Sequence, residues 1–337
     1  MISNKKILVV GAGGFIGGHL VKKLLEHKNS IVAVDIKPKE YWFQDYESVN
    51  NHYSTDMKEI NNCRKVSKNI DYVFNMACNM GGMGFIENNK AECMQSVLIN
   101  TNLLIACKEE GIKRYFFSSS ACAYNKTKQK DIFVEGLKEN FDVYPADPED
   151  GYGWEKLFSE RMCRHFMEDY NIEVRIARYH NIYGPYGTYD GGREKAPAAL
   201  CRKIINAKKN NEDKVEVWGD GKQTRSFLYI DDCVEGTLRL FESSYSGPVN
   251  IGSDEQVSIN QMIDIIEKIS DTKKLRRDYQ LDKPKGVRGR SSNNDLVKKI
   301  LNWSYKIKLN DGLKRTYDWI NNEMNKHGSN ISRYTKS

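Results

Sequence analysis

The chain has 337 residues, 39% of them hydrophobic and 29% charged, with a formal net charge of +7 and a mean hydropathy of −0.65. That is enough chain for one large or two modest cores, and it is too polar for a membrane protein; no apolar stretch nears the roughly 20 residues that span a bilayer. Lysines and arginines are interleaved with acids and form no basic arm, zinc-finger or RNA-recognition spacing, so no nucleic-acid partner is expected, and an acidic small substrate explains the charge equally well.

Eight cysteines include no C-x-x-C pair, and "MISNKKILVV" runs straight into a strand with no apolar signal segment. Reduced thiols in the cytoplasm are therefore expected, and no metal site. Next, "KKILVVGAGGFIGGHLVKKLLEHKNSIVAVD" (5–35) reads as a β-branched run, a glycine turn, an amphipathic helix and a second β-rich run closing on Asp35. This is a βαβ unit of the dinucleotide-binding kind. Gly11 permits the turn, Gly14 lets backbone N–H groups approach a pyrophosphate, Gly17 lets the helix lie close on the sheet, and Phe15 and Ile16 open the helix. Asp35 is placed to accept from a ribose 2′-hydroxyl and would repel a 2′-phosphate, which favours NAD over NADP.

Apolar runs at 72–77, 102–112 (helical, capped by Gly111), 114–120 and 174–184 continue the alternation. The expected fold is α/β: a Rossmann-type doubly wound parallel sheet over residues 1–180, carrying the catalytic groups. A smaller α/β substrate-binding domain over 181–325, with some crossing back, and a mobile tail over 326–337 complete the expected organisation. Ligands of such sheets bind beyond the carboxyl ends of the strands, where Ser118 to Ser120 and Asn181 fall.

"GYGWEK" puts Tyr152 and Lys156 four apart on one helix face. A cationic Lys156 and an oxidised nicotinamide would both draw the phenol down from about 10 toward neutrality, so that Tyr152 could remove a hydroxyl proton while Ser120 bonds the same oxygen. Alone, the pair is commonly packing plus a solvated charge; behind the glycine fingerprint it reads as catalytic.

Through "GAGGFIG", "SSS", "YGWEK" and "WGDGKQTRSFLYIDDCVEG" (218–236) the chain resembles the extended short-chain dehydrogenase/reductase superfamily. "NMGGMGFI" (79–86), "SSSACAY", "RYHNIYGPYGTYDGGREKAPAALCRK" (178–203), "NIGSDEQVSIN" (250–260) and "GVRGRSSNN" (286–294) resemble, within it, the GDP-mannose 3,5-epimerase family, over about residues 5 to 325. Ile36, Asn79 and Asn125 depart from that family's pattern.

The resemblance implies that Cys122 and Lys195 act as base and acid on opposite faces of a sugar ring, once oxidation at C4 has acidified the hydrogens on C3 and C5. It also implies an adenine contact by Asp56, sugar contacts by Gly81, Gly82, Met83 and Asn181, nucleotide contacts by Lys203 and Gln223, and a diphosphate clamp from Arg225 with Arg288, Arg290 or both. The implied substrate is a GDP-sugar, the cofactor NAD, and the assembly a homodimer. A 4,6-dehydratase would carry acids where Ala121 and Cys122 stand. A simple C4-epimerase would leave Cys122 and Lys195 without a task, and a non-enzymatic NAD sensor would have no use for the Tyr152/Lys156 pair.

Overall fold

In the computed structural model, which describes residues 2–49 and 51–327, the β-branched run after Lys5 forms β1 (Lys6–Val10). The glycine turn leads into α1 (Phe15–Leu25), and β2 (Ser30–Asp35) closes the unit. The chain continues as β3 (Asn51–Ser54), α2 (Ile60–Val66), β4 (Tyr72–Asn75), α3 (Met83–Asn88), α4 (Lys90–Met94), α5 (Ser96–Glu109), β5 (Arg114–Ser120), α6 (Asp150–Tyr170) and β6 (Glu173–Tyr179). Then come β7 (Ile182–Tyr183), α7 (Ala196–Lys209), β8 (Lys214–Trp218), β9 (Thr224–Ser226), β10 (Leu228–Tyr229), α8 (Ile230–Glu242) and β11 (Pro248–Ile251). The last elements are β12 (Gln256–Ser258), α9 (Ile259–Ile269), β13 (Arg276–Gln280), β14 (Gly289–Arg290), α10 (Asp295–Leu301) and α11 (Leu309–His327).

Seven strands form one sheet in the order β11-β6-β5-β4-β1-β2-β3, all paired in parallel. Alternate residues of β1 serve opposite faces: Ile7 and Val9 pack with Leu20, Val21 and Leu24 of α1, whereas Leu8 and Val10 pack with Leu103, Leu104 and Cys107 of α5. Each such buried aliphatic side chain contributes about 1.5–3 kcal/mol relative to exposure. Strand order reverses between β1 and β4, and the crevice beyond their carboxyl ends is where ligands of this architecture sit.

The expected strand over 174–184 is two strands. Asn181 adopts a left-handed backbone (φ 47°), which ends β6 at Tyr179 and turns the chain so that β7 pairs with β10 in a separate sheet. The helix expected at 102–112 begins earlier, at Ser96, and Gly111 follows its end at φ 66°. The chain crosses back after residue 181: β11 joins β6 in the large sheet, while β12, β9 and β14 form a three-stranded sheet and β13 pairs with β8. Lys326 and His327, expected in a tail, complete the last turn of α11, where basic side chains suit the carboxyl-terminal dipole; residues 328–337 lie outside the described residues.

Candidate active site

Segments from both halves converge on a cleft of about 800 Å³ at the switch point. At one end Gly11 takes φ 85°, and a Cβ there would lie 2.9 Å from the Ala77 backbone nitrogen. A Cβ on Gly17 would overlap the Gly11 carbonyl oxygen, so both residues must lack one for α1 to sit this close. Gly14, Phe15, Ile16, Asp35 and Asp56 line the same end. Asp35 is buried at the tip of β2, its carboxylate accepting from the Lys37 amide at 3.0 Å; burial raises its pKa. Asp56 accepts from the Lys58 amide at 2.9 Å, holding a turn as it borders the cleft.

The hydroxyl cluster at the end of β5 divides its labour. Ser118 Oγ donates to the Asn75 carbonyl at 2.9 Å and Ser119 Oγ to Glu160, both away from the cleft chemistry. Ser120 Oγ accepts from the Cys122 amide at 3.2 Å, capping a single 3-10 turn, Ala121–Ala123. That cap explains the Ser-x-Cys spacing: the turn swings the thiol back beside Ser120 and into the cleft.

Tyr152 is buried on the first turns of α6 with Cys122, Ile86 and Cys93. Burial drives its phenol well above the ordinary range, and Cys78, Cys122 and Glu155 add to that; the Ser120 hydrogen bond opposes it. The expected depression by Lys156 is thus absent from the protein alone, because desolvation of the phenolate outweighs it. Lys156 lies behind the wall rather than on it, with Nζ 5.5 Å from the Tyr152 ring centre and 4.9 Å from that of Phe117. It pairs with equally buried Glu155 at 3.3 Å but makes no aligned hydrogen bond. Although burial works against its charge, Cys78 and Glu155 raise its pKa, so it stays an ammonium.

These features fit NAD: a glycine turn stripped of Cβ atoms, an acid at the tip of β2, and a buried ammonium with unspent donors behind the cleft.

At the other end of the cleft, Cys122 Sγ contacts Glu149 Oε2 and Arg290 Nη1, each at 3.4 Å. Arg290 spends two further donors on Glu149 (2.7 Å) and Gln129 (2.6 Å) and is only 3% exposed. Both Nη atoms of its fork are thus engaged with the Cys122–Glu149 pair, while the side chain still borders the cleft in which the expected diphosphate clamp would work. Burial raises the Cys122 pKa and Glu149 adds to it, while Arg290 and Ser120 oppose. Arg225 donates to the carbonyls of Thr224 (2.7 Å) and Lys285 (3.3 Å); burial and the neighbouring Arg290 push it down to about 10.

Lys195 caps α7 just ahead of Pro197 and is half-buried. Burial lowers its pKa, and the nearby Cys122, Cys78 and Cys233 oppose that. With Arg225 and Arg290 it leaves this end with more cation than Glu149 offsets, as a diphosphate requires.

Other expected contacts are partly spent. Lys203 pairs with Glu216 at 2.7 Å, Gln223 donates to the Trp218 carbonyl at 2.8 Å and Asn181 to the Ser226 carbonyl at 2.9 Å, while all three still border the cleft. Arg288 pairs with Asp220 (2.9 Å) and is not part of the cleft wall. Gly81, Gly82 and Met83 border it, but the lack of a Cβ at Gly82 serves the protein itself: the Glu194 carbonyl fills that space, and the Gly82 amide donates to Arg193 at 3.0 Å. Arg193 returns the contact through Asn79 (2.8 Å), fastening the glycine-methionine loop to the loop that bears Lys195. Glu149, Glu155, Cys78 and Arg193 were not found from the sequence. Glu149 stands at the amino-terminal cap of α6, where a carboxylate reads as the ordinary complement of a helix start; only its long-range pairing with Arg290 marks it.

Residues 7–252 match the model of the NAD dependent epimerase/dehydratase family. The chain is similar to GDP-mannose 3,5-epimerase of Arabidopsis thaliana, 45% identical over 99% of this chain and 88% of that protein, and to GDP-mannose 3,5-epimerase 1 of Oryza sativa subsp. indica, 46% identical over 98% and 86%. Among solved structures it is similar to UDP-glucuronic acid 4-epimerase from Bacillus cereus in complex with UDP-glucuronic acid and NAD (26% identity, TM-score 0.79, 94% of this chain and 99% of that one). The fold is also shared with UDP-glucose 4-epimerase from Thermotoga maritima (24% identity, TM-score 0.83, 95% and 99%).

Proposed function

From the premise that the chain belongs to the NAD dependent epimerase/dehydratase family, we propose that it is an isomerase acting on GDP-mannose or a close GDP-sugar, inverting C5, C3 or both through a transient 4-keto sugar. The observation that carries this reading is the meeting, in one cleft, of Tyr152 and Ser120 with a second acid/base pair, Cys122 and Lys195, from distant segments. Bound NAD would accept hydride from C4 and return it, so no net redox change results.

Tyr152, held by Ser120, takes the C4 hydroxyl proton, and the buried Lys156 ammonium keeps positive charge behind the phenol as it ionises. The resulting ketone acidifies the neighbouring C–H bonds. Cys122 then removes a proton from one face and Lys195 returns one to the other, since a single residue cannot serve both faces. A lysine whose pKa burial has lowered gives up its proton more readily than a solvated one. Arg225 and the surplus of cation near it favour the diphosphate.

A C4-epimerase, as the two solved relatives are named, is the alternative; it would leave the Cys122–Glu149–Arg290 cluster without a task. Incubation with GDP-mannose in D2O separates the two: a 3,5-epimerase incorporates deuterium at C5 or C3, and a pure C4-epimerase incorporates none. A cytoplasmic location and a homodimer belong to the same proposal, the former supported by eight unpaired cysteines and the latter by family resemblance; sedimentation tests the dimer.

A further inference from the structure

One carboxylate behind the cleft wall, in contact with Cys122, has no part in the mechanism so far. Glu149 is 5% exposed, and its amide donates to the Cys122 carbonyl at 3.1 Å while its own carbonyl accepts from Gly153 at 2.8 Å. Its backbone thus joins the 3-10 turn of Cys122 to the first turn of α6. Its side chain does not cap that helix. Instead Oε2 lies 3.4 Å from Cys122 Sγ, on the same side as Arg290 Nη2 at 2.7 Å, and Oε1 accepts from the Val287 amide at 3.3 Å. Arg290 Nη1 completes the ring at the sulfur. Thiol, carboxylate and guanidinium therefore close a three-membered buried circuit.

A structural role alone would be met by the Glu149–Arg290 ion pair. The orientation of the thiol toward the same carboxylate oxygen adds something an ion pair does not need. Moving the proton from sulfur to oxygen leaves the circuit's net charge unchanged, so a buried thiolate can form without bringing a new charge into the low-dielectric cleft.

Taking the 3,5-epimerase reading as given, we propose that Glu149 is a positioning residue for Cys122 and the immediate acceptor of its thiol proton. The S–H bond breaks as O–H forms on Glu149 Oε2, and Arg290 stays paired to whichever of the two is the anion. The thiolate then takes the carbon-bound proton, with the C–H electron pair passing into the enolate of the 4-keto sugar. Lys195 gives its proton to the opposite face. The proton left on Glu149 returns to the deprotonated Lys195 through water, which resets the site. At rest the proton belongs on sulfur: burial acts against the Glu149 carboxylate, but Arg290 and Arg225 outweigh it and hold its pKa low, while the Cys122 pKa is high. The charged and titratable groups facing the circuit are Arg290, Arg225, Tyr152, Lys195 and Glu87.

The test uses the full-length protein with its cofactor and GDP-mannose in D2O, comparing wild type with Glu149→Gln and Glu149→Asp across pH. Near neutrality Glu149→Gln is expected to lose at least about tenfold in deuterium incorporation, toward the 10²–10⁴ typical of a lost proton acceptor. Alkaline pH is not expected to repair the loss, because it also strips the proton that Lys195 must deliver; C4 oxidation, read as NADH formed in a single turnover, is expected to persist, since Tyr152 and Ser120 are untouched, whereas a merely structural collapse of the cleft would lose it. Glu149→Asp keeps a charge partner for Arg290 while withdrawing it from sulfur; it is expected to show the same loss of exchange with C4 oxidation retained, and serves if the glutamine variant does not fold. Full retention of exchange near neutrality, or loss of C4 oxidation along with exchange in both variants, overturns the assignment. If wild-type protein exchanges no deuterium, or Cys122→Ala retains it, the epimerase reading itself has failed, which is a different result from failure of Glu149.

Discussion

The two ends of the cleft are built by different means. The cofactor end is made of backbone: Gly11, Gly14 and Gly17 lie within seven residues of sequence, and what matters there is the space where a Cβ is missing. The substrate end is made of side chains, Cys122, Lys195, Arg225 and Arg290 with Glu149 behind Cys122, from segments that meet only because β5, α6, α7, β9 and β14 converge. A backbone-built site fails through sterics and a side-chain-built one through charge and protonation, and substitutions should separate the two.

The largest effect is expected where the ends meet. Tyr152→Phe should lower turnover by about 10²–10⁴-fold or more, because both the redox step and the later proton exchange depend on removal of the C4 hydroxyl proton. Single-turnover assays for the oxidised sugar check this, and normal turnover by that variant would remove Tyr152 from the mechanism. Gly17→Ala probes the cofactor end by sterics alone. Its methyl has no room against Gly11, so a cost of about 1–3 kcal/mol is expected, seen as a lower melting temperature and weaker NAD binding; an unchanged affinity would mean that the turn relaxes freely.

Lys195→Met tests the substrate end by charge. Burial lowers the folded-state pKa of Lys195 below its unfolded value. Between those two values the unfolded chain holds more protons, so wild-type stability rises with pH across that window and carries the whole cost below it. The methionine variant should therefore melt higher than wild type at neutral pH, with the gain shrinking as pH climbs into the ordinary lysine range, while solvent exchange is lost. A melting temperature that falls at neutral pH would contradict the sign. The smallest effect belongs to Arg288→Ala. Its ion pair with Asp220 is about one-third exposed on both sides, which places the stability change at about 0–1 kcal/mol, and little change in KM is expected; a large rise in KM would return Arg288 to the diphosphate.

The contrast also decides what could be read from the sequence. The βαβ unit, the ends of β5 and the Tyr152/Lys156 spacing are local patterns, and their periodicity or glycine content is visible over a few residues. Motif resemblance reached Cys122, Lys195 and the arginines, yet it could not say which arginine faces which anion, because that depends on a register more than a hundred residues away. Arg290 illustrates the limit: the same guanidinium suits a phosphate or a Cys122–Glu149 pair, and only the packing of β14 beside β9 selects the second. Asn181 was legible as a strand end but not as the left-handed residue that sends β7 into another sheet.

The most direct measurement is nuclear magnetic resonance of GDP-mannose recovered after incubation with the protein in D2O. The account predicts deuterium at C5, C3 or both, accompanied by inverted stereochemistry at the labelled carbon. A recovered sugar inverted at C4 with protium retained at C3 and C5 would contradict it.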